Sequence, residues 1–135
     1  MADFYAALKT AFDADTALVG GASGPFSALY MGEAPEGEDV PYCVLVPGDE
    51  PKTEGTFASI YCRETFSLHV ITATQEAGQD YTDTILLRLD DWETSLTADG
   101  LTILSLQYSN RRTTQPEQDR WETAVECEVL YQRAR

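Results

Sequence analysis

A strict two-residue alternation over the last segment, Arg120 to Gln132, constrains this chain more than any other feature. Trp121, Thr123, Val125, Cys127, Val129 and Tyr131 share one parity, while Glu122, Glu126, Glu128 and Gln132 take the other. Successive side chains of a β-strand point to opposite faces, so the run fits a sheet with one packed face and one wet face, and it fits no helix. A second long run, Phe57 to Thr72, follows the same rule. Ile60, Cys62, Phe66, Leu68 and Val70 alternate with Tyr61, Arg63, Thr65, Ser67 and His69. Glu64 interrupts the apolar parity, and if it lies deep in a core it needs a partner.

An apolar sheet face must be covered, and two segments have the spacing to cover it. Phe4, Leu8 and Phe12 recur every four residues between Asp3 and Asp15, with Ala7 and Ala11 beside them. Ala77, Tyr81, Ile85, Leu89 and Trp92 form a second helical stripe from Thr74 to Trp92, with Thr74 as its N-cap. Phe26–Met31, Tyr42–Val46 and Leu101–Tyr108 read as further strands, the last introduced by the turn pair Asp99-Gly100. The segments between them read as loops: the acidic stretch Glu33–Asp39, then Pro47–Gly55 and Asn110–Asp119. The order is helix, short strand, hairpin, helix, hairpin. That predicts an α+β fold, a mainly antiparallel sheet of four to five strands with two helices packed on one face, as one domain over residues 1–135.

Composition narrows the function. At 135 residues and 43% hydrophobic content the chain can bury a core and is not disordered. No apolar run approaches the roughly 20 residues that span a bilayer, so no membrane association is expected. The formal charge of −14 should repel nucleic acid on average. Three cysteines without C-x-x-C spacing and a single histidine make a zinc site unexpected, and packed reduced thiols are the better reading.

Catalytic patterns are equally sparse. His69 lies on the polar parity of its strand, and no G-x-S-x-G, G-x-x-x-x-G-K-[ST] or G-x-G-x-x-G motif is present. Asp13 and Asp15 begin like a calcium loop, but Ala17 stands where the third ligand belongs. The expectation is a protein with no enzymatic activity, no cofactor and no metal. Contact residues are expected instead on the two long loops, which carry Asp49, Glu50 and Lys52, and Arg111 and Arg112. Arg111-Arg112 could meet Glu36, Glu38 and Asp39 of a neighbouring copy. Glu122, Glu126 and Glu128 make a row of like charge that would give a ring an acidic lumen.

The layout also resembles a known group. Ala17-Leu18-Val19-Gly20-Gly21 ends the first helix, and Ala34-Pro35 sits in the acidic loop. Then come Pro41-Tyr42-Cys43-Val44-Leu45, a helix opening with Thr74-Gln75-Glu76-Ala77, and a closing strand ending in Val129-Leu130-Tyr131. Across nearly the whole chain this order resembles the small tail-completion or tail-terminator proteins of long-tailed bacteriophages. The resemblance implies a subunit of a ring, usually hexameric, that caps the tail tube and joins it to the head-completion (stopper) proteins of the neck. It implies a place in the virion at the tail–neck junction after assembly in the host cytoplasm, with DNA passing through the lumen unbound. It implies no catalytic residues. The alternative from the charge alone is an acidic monomeric binding module, such as a DNA-mimic anti-defence protein.

Overall fold

A computed structural model of the chain describes residues 2–20, 24–48, 52–55, 59–96 and 101–134. It contains α1 (Ala2–Ala14), β1 (Leu29–Met31), β2 (Tyr42–Pro47), β3 (Lys52–Gly55), β4 (Ser59–Thr72), α2 (Gln75–Ser95), β5 (Leu101–Glu117) and β6 (Arg120–Ala134). The strands form one sheet in the order β1-β2-β4-β6-β5, with β3 paired to β4 below the end of β2. All pairings are antiparallel except β1 with β2, which is parallel. The predicted α+β class therefore holds. Five strands lie on the main path, as the sequence suggests, and β3 adds a sixth.

Two segments predicted as loops turn out to be strand. Asn110–Asp119 is mostly β5, which runs on to Glu117 and leaves only Gln118 and Asp119 in the turn. This part of β5 is polar on both sides and so lacks the apolar alternation by which a strand is recognised. It is held by its backbone partners on β6, from Asn110↔Glu126 to Thr114↔Glu122. Pro47–Gly55 is likewise not all loop. β2 includes Pro47, and Lys52–Gly55 pairs with Ile60–Arg63. The 14 residues of β4 are long enough to hold β2 along one half and β3 along the other. Asp49 and Glu50 lie outside the described residues.

Both helices cover the same face. Phe4, Leu8 and Phe12 of α1 are buried with Cys43, Leu45, Phe66, Leu68, Val125, Val129 and Tyr131. The Phe4 ring lies 5.8 Å from that of Phe66 and 6.0 Å from that of Tyr131. Ile85, Leu89 and Trp92 of α2 complete the core, and Trp92 meets Phe12 at 6.3 Å. Complete burial of such a side chain contributes about 1.5–3 kcal/mol. Thr74 caps α2 by accepting the Ala77 N–H at 3.1 Å. One turn later a Cβ on Gly78 would stand 2.9 Å from Thr123 Oγ1, so a hydrogen at this position lets the helix sit close on the sheet.

The interruption at Glu64 is resolved here. Its side chain is 4% exposed on the helix-covered face, and Tyr131 donates its hydroxyl to the carboxylate at 3.0 Å. Burial first, then this bond, raises the Tyr131 pKa. Burial and the Glu64 charge push the Tyr5 hydroxyl up to about 12. The three cysteines are buried free thiols. Burial raises the Cys43 thiol and pushes Cys127 up to about 12, which keeps both protonated and poorly nucleophilic at neutral pH.

Candidate assembly surface

Among the described residues no helix covers the other face of the sheet. It presents Arg63, Thr65, Ser67 and His69 from β4, Glu122, Ala124, Glu126 and Glu128 from β6, and Asn110, Arg112 and Thr114 from β5. The predicted acidic row does lie together here, but its charges are not all free. Glu122 Oε1 lies 3.1 Å from His69 Nδ1, and Glu128 Oε1 lies 3.8 Å from Arg63 Nε, while Glu126 is exposed. The wall is therefore of mixed sign.

His69 links two strands. Its Nε2 is 2.9 Å from Ser67 Oγ and its Nδ1 faces Glu122, which gives a hydroxyl–imidazole–carboxylate line across β4 and β6. Ser67 and His69 fall on one parity in the sequence, but Glu122 joins them only through the register His69↔Ala124 and Ile71↔Glu122. That is why the line was not legible beforehand. Its connectivity is that of a nucleophile, base and orienting acid. Its setting is a flat face on which His69 and Glu122 stay 27% and 35% exposed.

Arg111 and Arg112 are consecutive on β5 and so point to opposite faces, and the register shift between Tyr108 and Asn110 decides which face each takes. Arg111 turns to the helix side, where it bonds Asp83 Oδ1 at 2.6 Å and the Gln79 carbonyl at 2.9 Å. This corrects the expectation that both arginines sit on a loop tip. Only Arg112 is left on the open face. Lys9, Arg63, Arg88, Arg111 and Arg120 each have a carboxylate partner. Lys52 belongs to β3, which borders β4.

The acidic stretch is a loop, as predicted. Gly32 and Gly37 adopt φ of +83° and +79°, a backbone that a side chain would strain, and between them the loop bends over the open face. Glu33, Glu36 and Asp39 are exposed and Glu38 is half-buried. Beneath the loop a groove of about 550 Å³ has Tyr42, Val44, Val46 and Ile71 as its apolar floor. Arg120 borders it, 3.7 Å from Glu117 and 6.0 Å above the centre of the Tyr42 ring. The apolar floor was hidden in the sequence because Val44 and Ile71 lie on the wet parity, yet both are buried beside this loop.

Among the described residues no group of three or more His, Cys, Asp and Glu is placed to hold a metal ion, and no helix is long and apolar enough to cross a membrane. The architecture is that of an α+β subunit whose sheet ends in β1 and β5 and whose second face carries no helix among the described residues. Its fold is similar to that of a chain from the virion of a native gene transfer agent (GTA) particle. The match covers 96% of this chain and 92% of that one, with a TM-score of 0.57 and 17% sequence identity. No family model matches this chain, and no curated protein matches it.

Proposed function

We propose that this chain is a structural subunit of a phage-like virion, and more specifically a tail-terminator or tail-completion protein. In this reading its copies form a ring, hexameric by the resemblance, that caps the tail tube and joins it to the neck. The observation that carries the reading is the fold shared along nearly the full length with a virion chain. The two end strands, β1 and β5, and a sheet face with no helix on it among the described residues leave surface that contacts between copies could use. The open face would line the lumen. Its mixture of carboxylates with Arg63 and His69, on a chain of charge −14, would let DNA slide past without adhering. The chain would perform no reaction.

The test is the mass of the purified protein by light scattering, alone and with tail tubes. A closed species near six times the 14.9 kDa of one chain, free or at tube ends, is expected. A persistent single chain that ignores tubes would sink this reading and transfer it to the acidic binding module.

A further inference from the structure

Resting on the ring reading, we infer that neighbouring copies join through unlike sheet edges, with Arg112 on β5 of one copy entering the acidic Glu33–Glu38 loop beside β1 of the next. The register carries this. Tyr30, Val44, His69, Ala124 and Arg112 form one transverse row across the sheet from the β1 edge to the β5 edge. A rotation about an axis along the strands keeps every residue at its own height. It therefore brings Arg112 of one copy level with Tyr30 of the next, at the start of the acidic loop. By the same register β3 lies level with Leu101–Ser105, the first part of β5.

The chemistry of the two edges is complementary. Among the described side chains Arg112 and Arg133 are the basic ones with no carboxylate partner, and Arg112 is the one on the outermost strand. Opposite it, Glu33 and Glu36 are exposed on a loop whose shape is set by two glycines. Five large hydrophobic side chains remain exposed among the described residues, and Met31, Leu104 and Tyr108 of these lie on β1 and β5. A contact between two different edges is heterologous, so it does not make a two-fold dimer, and where its rotation closes it makes a ring. It works through side chains and not by extending the strand ladder. Each edge is already capped at one point: the Leu29 N–H by Asp13 and the Leu106 N–H by Glu93.

The test is a charge exchange read by sedimentation, on the free chain or on tail tubes if assembly needs them. At 0.15 M salt, where repulsion between distant charges is screened, R112E alone, and E33K with E36K, should each lower the association constant by roughly 2- to 30-fold, since reversal replaces attraction by repulsion. The three changes together should restore most of it. An assembling native chain whose association is unmoved by R112E, or is not restored in the combined variant, would overturn the inference and leave the ring reading standing. A native chain that never assembles would remove both. If R112E fails to fold, cross-linking decides: mixed R112C and E36C chains should form a disulfide-linked pair, and R112C by itself should not. Pairing of R112C with itself would mean that like edges meet, and no pairing in an assembled ring would mean that these edges do not meet.

Discussion

Glu64 is the one charged side chain buried among the described residues, and the Tyr131 hydroxyl donates to it at 3.0 Å. A carboxylate in that position is costly without its donor. Tyr131→Phe should therefore destabilise the chain by about 1–3 kcal/mol, because it leaves a buried acceptor unsatisfied. Adding Glu64→Leu should recover most of that loss in urea unfolding. A loss that simply adds up across the two substitutions would show that the pair does not act as a unit. The alternation of β4 already marked Glu64 as an anomaly, but its partner was not legible. Tyr131 pairs with Cys62, two residues away, and only the β4–β6 register brings it diagonally across to the acid. The Ser67–His69–Glu122 line depends on the same register. A nucleophilic serine works in a dry site with donors aimed at the developing oxyanion, whereas this line lies on a wet face. Treatment with a serine-directed fluorophosphonate should leave Ser67 unlabelled. A stoichiometric adduct there would make the open face a hydrolytic site and contradict the proposal that the chain performs no reaction.

At the scale of elements, β1 is the piece that most needs outside help, with three residues and one neighbour in the sheet. The last turn of α1 supplies that help. Asp13 accepts the Leu29 N–H at 2.9 Å, Lys9 donates to the Leu29 carbonyl at 2.8 Å, and the two side chains pair at 2.8 Å. Asp13→Ala removes the acceptor and frees the lysine. It should cost about 1 kcal/mol in global stability while raising amide exchange around Leu29–Met31 by about tenfold, the sign of a local opening. Equal loss of protection across β4 and β6 would instead mean that β1 has no separate stability. The calcium-loop pattern that Asp13 and Asp15 begin fails at Ala17, and the fold gives both carboxylates other partners: Asp13 holds β1 and Asp15 holds Arg88 of α2 at 3.0 Å. The long alternating strands and both helical stripes were legible because each has an apolar side facing the core. The second half of β5 was not, since its exposed side chains are polar and its place is set by hydrogen bonds to β6. The acidic loop was legible as a loop from its prolines, but not as the lid of a groove.

For the whole molecule, charge and shape pull in opposite directions. Each copy carries −14, so gathering several into a ring sets like charges against one another across every interface. An exposed pair such as Arg112 with the acidic loop contributes about 0.2–1 kcal/mol, too little to offset that repulsion at low salt. The apolar side chains Met31, Leu104 and Tyr108 must then supply much of the attraction, and their contribution does not weaken as salt rises. Screening separates the two effects by range. The Debye length falls from about 30 Å at 0.01 M to about 8 Å at 0.15 M salt. That removes most of the repulsion between distant carboxylates while sparing close pairs at a partly desolvated contact. Assembly should therefore strengthen between 0.01 and 0.15 M salt, seen in sedimentation as growth of the ring at the expense of single chains. Weakening over the same range would mean that paired charges dominate the interface. The open face would then have to contribute its arginines as well, and the lumen wall would be a contact surface instead.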